Sequence, residues 1–199
     1  MTPSRVKFWE VPDRRRVRLL DVGTVTETNG RKHYPNAHVT MIDVQTGWDI
    51  MEKGLPNGPW DVIFASHIIE HLTDPDYFLE ECHRVMSPST LLHLKTPNLA
   101  AWFNRLCLAL GYLPHFCEVS TRHDLGKLRL GPPERPGGHL KVFTAGALVE
   151  LLEVSGFRVE RLIGRPLGAP LPLGVEQLDW LFGQHPATAA ETVIYARKR

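Results

Sequence analysis

Residues 58–98 read GPWDVIFASHIIEHLTDPDYFLEECHRVMSPSTLLHLKTPN, and this stretch decides the fold class. Its apolar run at 61–66 is too short for a helix and is rich in β-branched and aromatic residues, which is typical of a buried parallel strand. An amphipathic helix is predicted over 75–86, ended by Pro88, and a second buried strand over 91–95. Polar residues follow the first of these strands, at the end where ligands bind in open α/β sheets.

The rest of the chain continues this alternation of strands and helices. Further strands are predicted at 17–22, 38–43, 157–163 and 192–197, and further helices at 99–110 and 144–155. Such alternation predicts a mostly parallel sheet that is covered by helices on both faces. Residues 112–141 and 164–174 carry many Gly, Pro and His residues and are expected to be loops or lids.

Composition and charge exclude several classes of function. A length of 199 residues favours one domain over 1–199, with residues 1–16 as an N-terminal extension. The formal net charge of +1 provides no field that would attract nucleic acid or an anionic membrane. No apolar run approaches ~18 residues, so no membrane span is expected. Because the three cysteines form no CxxC pair, the expected location is a reducing cytoplasm.

Two sets of short pieces carry a family resemblance. The first is WDVIFA, IIEHLTDP, HRVMSPST and LKTPN, in this order within 60–98; the second is GHLKVF and ALVELLEVSGFRVERLIG within 138–164. With these pieces the chain resembles class I S-adenosylmethionine-dependent methyltransferases. The resemblance implies a Rossmann-like, doubly wound, seven-stranded sheet of order 3-2-1-4-5-7-6 whose last strand is antiparallel. It also implies S-adenosylmethionine as cofactor and a small-molecule acceptor such as a sugar, a lipid-linked compound or a secondary metabolite.

The loop after the first strand departs from this family. Relatives usually read Asp/Glu-x-Gly-x-Gly-x-Gly there, and the glycines let the backbone approach the methionine part of the cofactor. Here Asp21 and Gly23 are kept, but Val25 and Glu27 stand where the other two glycines would be. Only a very short helix fits before the second strand. Two interpretations remain open: a remodelled loop that still binds the cofactor, partly through Thr24, or a non-catalytic methyltransferase-like binding module.

The second cofactor-binding motif matches the family better than the first does. Asp43 ends the second strand, where a carboxylate can accept both ribose hydroxyls; a turn or helix cap is the alternative role. Residues 47–50 resemble a short third strand that carries the adenine-side acid. Taken together, the residues expected to bind the cofactor are Asp21, Gly23, Thr24, Asp43, Asp49, Ile50, Ser66 and His67.

His67, Glu70 and His71 form an H-x-x-E-H pattern that requires its own interpretation. On a helix these side chains would share one face and could hold zinc, as in a metal-dependent hydrolase. The pattern directly follows a strand, and Pro75 begins a new element, so the hydrolase is a remote alternative. Some quinone-precursor O-methyltransferases bind a divalent cation at similar positions. A metal at Glu70 and His71 is therefore left open, although His67 stands where those enzymes have an acid.

Methyl transfer to oxygen or nitrogen needs close positioning and profits from a base with a pKa near neutrality, which favours histidine. His67, at the mouth of its strand, and His139, at the start of the late segment, are the catalytic candidates. Residues 112–141 are expected to form the acceptor or lid region. The apolar segment 99–113 is a candidate homodimer interface.

Overall fold

The computed structural model describes residues 17–24, 28–128, 136–168 and 174–199, and these form one sheet with helices packed on it. The strands are β1 (Arg18–Val22), β2 (His38–Ile42), β3 (Val62–Ser66), β4 (Leu91–Pro97), β5 (Phe157–Arg165) and β6 (Glu191–Lys198). The helices are α1 (Thr28–His33), α2 (Ile50–Lys53), α3 (Pro75–Val85), α4 (Trp102–Ala109), α5 (Ala145–Val154) and α6 (Val175–Gly183).

The strand order is β2-β1-β3-β4-β6-β5. The first four strands are parallel, and β6 runs antiparallel to both of its neighbours. This confirms the Rossmann-like class and the antiparallel last strand. The carboxyl ends of β1 to β4 therefore share one edge of the sheet with the start of β6, and that edge is where a doubly wound fold binds its ligands.

Alternation along the strands divides the apolar residues between two cores. Leu20 packs in one core with residues of α3 and α5, such as Phe78 and Leu148. Its neighbour Leu19 points to the opposite face and packs with Phe64 and Tyr34 there. Because successive strand residues face opposite sides, both faces of β1 are buried, as expected for a parallel strand inside an α/β sheet.

The third strand predicted at 47–50 is wrong, so the described residues form a sheet of six strands rather than seven. Gly47 adopts a left-handed conformation (φ 81°), and the Asp49 side chain accepts a hydrogen bond from the amide of Met51 to begin α2. A helix cap thus replaces an extended segment, because Asp competes well for nearby amides in non-strand conformations. The predicted shortness of the first helix is confirmed, since α1 has six residues.

The helix predicted over 75–86 is confirmed as α3. Asp74 caps it by accepting from the amide of Tyr77, and Pro75 occupies its first turn, where a missing amide hydrogen costs nothing. Residues 112–128 and 136–144 contain no helix or strand, in agreement with the irregular structure predicted for 112–141. Among the described residues, no helix is long and apolar enough to span a membrane.

Candidate active site at the carboxyl edge of the sheet

The turn after β1 is built tightly around Gly23. Its φ is 79°, its amide donates to the carbonyl of Ile42 over 2.9 Å, and an added Cβ would lie 2.8 Å from the side chain of Ile68. Only glycine meets both constraints, because L-residues avoid this conformation and there is no space for a side chain. Gly23 therefore brings the end of β1 against the loop that follows β3. Val25 and Glu27 lie outside the described residues.

Asp21 is buried beside this turn. Its carboxylate accepts a hydrogen bond from the amide of Gly30 over 2.9 Å, which fixes the short helix α1 to β1. The contact is close, since a Cβ on Gly30 would lie 2.6 Å from the Asp21 carboxylate. Burial raises the pKa of Asp21 to about 7, because desolvation disfavours its charged form. Thr24 is also buried.

Asp43 and Asp49 both act as caps. Asp43 accepts from the amide of Gln45 over 2.7 Å at the start of a 3₁₀ turn, Val44–Thr46, and Asp49 accepts from Met51 over 2.8 Å. The capping role that was the alternative for Asp43 is thus present. Both carboxylates still lie just beyond β2, at the edge where the cofactor was predicted to bind.

His67 is held between two carboxylates in an unusual backbone conformation. With φ at 55°, it is the sole non-glycine residue with positive φ in the described part of the chain. Nε2 lies 2.7 Å from Oε1 of Glu191, and Nδ1 lies 3.3 Å from Oε1 of Glu70. Lys95 contacts the same Glu191 oxygen over 3.1 Å. Hydrogen bonds to Glu191 and then Glu70 raise the pKa of His67 to about 9, so the imidazole is a cation at neutral pH.

Glu70 and His71 lie in a 3₁₀ turn, Ile69–His71, that is tied to the late segment. The carbonyl of Glu70 accepts from the amides of Leu140 (2.8 Å) and Lys141 (3.0 Å). The H-x-x-E-H pattern is therefore not on a helix, and its first histidine is bonded to Glu191 rather than turned toward His71. The rigid helix that a zinc peptidase needs is not formed here.

His139 lies against this turn. Its ring is 4.9 Å from that of His71, centroid to centroid, and Phe116 of the predicted lid region contacts it at 6.4 Å. Burial and then the neighbouring His71 lower the pKa of His139, which favours the neutral imidazole. The structure therefore places both catalytic candidates, His67 and His139, near the carboxylate of Glu70.

Several site residues carried no sequence signal. Glu191 lies 124 residues after His67 along the chain, and Lys95 was simply part of a buried strand. Glu118 accepts from the amides of Gly137 (2.5 Å) and Gly138 (2.9 Å) and so ties the irregular segment 112–128 to the start of the late segment. No short-range spacing relates Glu191 and Lys95 to His67; the strand order brings these three side chains together.

The chain belongs to the methyltransferase domain family, because the family model described as "Methyltransferase domain" matches residues 4–162. A protein of Mycolicibacterium smegmatis named "probable S-adenosylmethionine-dependent methyltransferase" is 31% identical over 165 residues, which cover 83% of this chain and 51% of that protein. A ubiquinone biosynthesis O-methyltransferase of Caulobacter sp. strain K31 is 31% identical over 114 residues, 54% of this chain and 40% of that one. The chain thus spans about half, or less, of the length of these curated relatives.

Solved structures show the same fold. A SAM-dependent methyltransferase from Archaeoglobus fulgidus superposes with a TM-score of 0.54 and 18% identity, covering 92% of this chain and 86% of that chain. The mitomycin 7-O-methyltransferase MmcR superposes with the same TM-score and 17% identity, covering 92% of this chain and 49% of that chain. At this identity the likeness concerns the fold alone.

Proposed function

We propose that this chain transfers the methyl group of S-adenosylmethionine to a small-molecule acceptor. The observation that carries the proposal is the turn Asp21–Gly23, which has a conformation and a close approach that only glycine allows. Family membership over 4–162 and a relative named as an S-adenosylmethionine-dependent methyltransferase support it.

The cofactor half of the cleft would be lined from three strand ends. The turn 21–24 would face the methionine part of S-adenosylmethionine, Asp43 the ribose, and Asp49 with Ile50 the adenine. Ser66 follows Ala65, which pairs with Val22 across the sheet, so Ser66 is next to the turn. The caps that Asp43 and Asp49 form support these roles, because a carboxylate already fixed by local amides needs little further ordering on binding.

The acceptor half would involve the two histidines in different roles. Both ring nitrogens of His67 face carboxylates, so His67 is suited to hold the loop after β3 as a fixed cation. Nδ1 of His139 has no hydrogen-bond partner among the described residues and is suited to take a proton from the acceptor. We favour an oxygen acceptor on a sugar, a lipid-linked compound or a secondary metabolite; the relative from ubiquinone biosynthesis is an O-methyltransferase.

Calorimetric titration with S-adenosylmethionine and with its demethylated product tests the cofactor proposal. We expect saturable binding and a matching rise in melting temperature, since a ligand of the native state stabilises it by mass action. Asp43→Ala should weaken binding by ~1–3 kcal/mol, the cost of leaving hydroxyls without their charged partner. Asp74→Ala is the matched control, because Asp74 also caps a helix but has no proposed cofactor contact.

Variants of the loop after β1 distinguish methyl transfer from a non-catalytic binding module. Val25→Gly combined with Glu27→Gly restores the glycines of the family loop and removes one negative charge from it. We expect this double variant to bind S-adenosylmethionine more tightly than the native chain. If neither protein binds the cofactor at millimolar concentration, the non-catalytic module is the better account.

A further inference from the structure

Strand alternation and register place several cations on one face of three neighbouring strands. In β4, Lys95 lies two residues after His93 and therefore on the same face of the sheet. The ring of His93 stacks on that of Tyr195 in β6, with the centroids 4.4 Å apart. Tyr195 is paired with Arg161 of β5, and Arg165, four residues further along β5, lies on this face as well. Lys95, Arg161 and Arg165 together form the cationic group.

The cationic group extends to the edge of the sheet where the candidate active site lies. Arg165 ends β5 and is paired in register with Glu191, the first residue of β6. The carboxylate of Glu191 contacts Nζ of Lys95 over 3.1 Å and Nε2 of His67 over 2.7 Å. His67 follows β3, which lies between the strands β1 and β2 of the cofactor half and the strands of the cationic group. The group is therefore on the acceptor side of the cleft.

Positive charge exceeds negative charge on this part of the face. Arg161 and Arg165 form no ion pair with any other described residue, and the carboxylate of Glu191 is already shared between two cations. At the other end of β5, by contrast, Arg158 lies 3.1 Å from Glu160 and is neutralised by it. The excess charge is thus confined to the end of β5 that reaches the cleft.

Two histidines beside the cationic group are affected by its charge. His33, the last residue of α1, has its ring 5.1 Å from that of His93. Burial and then the cations Lys95 and Arg165 lower the pKa of His33, and Glu191 is the acid that opposes them. Burial, then His33 and the same two cations, lower the pKa of His93. Because nearby positive charge disfavours protonation of an imidazole, Lys95 and Arg165 act at the same place.

We propose that Lys95, Arg161 and Arg165 bind an anionic group, a carboxylate or a phosphate, that is carried by the methyl acceptor. A guanidinium presents paired N–H donors that match both of these anions, and an ammonium adds a compact positive charge. Cations that face one another without an anion repel, so an anion bound among them relieves the repulsion. That the anion belongs to the acceptor rests on the proposed function, whereas the binding of an anion does not.

The test is a titration of the full chain at low ionic strength without S-adenosylmethionine, followed through the backbone amide shifts of Lys95 and Arg165 in NMR spectra. Phenyl phosphate, benzoate and neutral benzyl alcohol are the probes, because each carries one benzene ring and they differ in charge. We expect saturable binding of at least one of the two anions, none of benzyl alcohol over the same concentrations, and weaker anion binding at high salt. The anion that binds more tightly identifies the group on the acceptor.

Arg165→Gln removes one exposed charge of the cationic group. It should weaken anion binding by about fivefold, the upper end of what one exposed charge pair contributes. Arg158→Gln is the matched control, since it makes the same change on the same strand at an arginine that Glu160 neutralises, and it should leave the affinity unchanged. Absence of saturable anion binding, equal binding of benzyl alcohol, or equal effects of the two substitutions would each overturn the proposal.

Competition with the cofactor separates the acceptor from a second source of negative charge, because S-adenosylmethionine itself carries a carboxylate. We expect the tighter-binding anion to bind the chain saturated with S-adenosylmethionine as well as the free chain. Displacement of the anion by S-adenosylmethionine would assign the cationic group to the cofactor and overturn the proposal. A chain that binds S-adenosylmethionine but neither anion would overturn this inference and leave the proposed function intact.

Discussion

At the scale of single residues, Gly23 is the position on which the cleft depends most directly. A side chain there must adopt a left-handed conformation, which costs ~1–2 kcal/mol, and must also displace Ile68. Gly23→Ala should therefore lower the free energy of unfolding by more than that strain alone, measured by urea denaturation. Gly111→Ala, at a similar φ but with open space around it, isolates the strain from the contact with Ile68.

Asp21 gives a prediction on pH dependence. Its pKa is raised to about 7 in the folded chain, against an ordinary value of 3.8, so the folded state binds its proton more tightly than the unfolded state. The contribution of Asp21 to stability is therefore fully present below about pH 4 and is lost as the pH rises toward 7. Asp21→Asn keeps an oxygen for the Gly30 amide and removes the charge.

We expect Asp21→Asn to raise the free energy of unfolding at pH 8 by about 1–4 kcal/mol, with the difference nearly gone at pH 4. Urea denaturation at the two pH values measures it. Glu150→Gln, at an exposed position of α5, should change stability little at either pH. A destabilised Asp21→Asn protein at pH 8 would mean that the carboxylate, and not the acid, is the form that the fold requires.

At the scale of elements, sequence patterns predicted most strands because buried parallel strands leave a strong local signal. The third strand at 47–50 was wrong, since the cap formed by Asp49 is a local alternative that apolar patterning does not reveal. Helix α6 was not predicted; it begins directly after the region 164–174 that was interpreted as loop. Its sequence exposes Leu178, Trp180 and Leu181, so it lacks the regular inward-facing stripe that identified α3 and α5.

The contacts of Glu191 could not be predicted for a different reason. Glu191 begins β6. Its partner His67 follows β3 and its partner Lys95 lies within β4, so these three side chains meet only once the strand order is set. One carboxylate oxygen of Glu191 contacts two cations and thereby links three strands at the edge of the cleft. Removing the partner of a buried charge lowers the free energy of unfolding by much more than a surface ion pair raises it.

Glu191→Gln should therefore destabilise the fold by ~1–3 kcal/mol, because it leaves the cations of His67 and Lys95 without a shared anion. Glu160→Gln is the matched control: Glu160 also contacts two cations, Arg158 and Arg197, but at a more exposed position. The control should lose ~0–1 kcal/mol. Equal losses in both variants, measured by urea denaturation, would show that Glu191 acts only as another surface pair.

At the scale of the whole molecule, the topology combines the two ends of the chain in one sheet. Strand β6 comes last in sequence but lies between β4 and β5, and the stacked rings of His93 and Tyr195, 4.4 Å apart, cross the β4–β6 pair. A break into separately folding halves would leave β4 without a neighbour on that side. The homodimer predicted for 99–113 stays a prediction; Leu106, Leu108 and Leu110 are exposed there.

This topology leads to the proposal that the chain unfolds as a single domain. Trp60 packs against the core near β3, and Trp102 lies on α4, where its indole donates to Asp179 of α6 over 3.1 Å. Two variants that each keep only one of these tryptophans, with the others replaced by phenylalanine, report on opposite parts of the sheet. In each variant we expect the fluorescence midpoint in urea to coincide with that of far-ultraviolet circular dichroism, as two-state unfolding requires. The proposal fails if the Trp102 fluorescence midpoint precedes the circular-dichroism midpoint while the Trp60 midpoint coincides with it. That result would show that α4 and α6 form a separate unit and that the strand order does not enforce cooperativity.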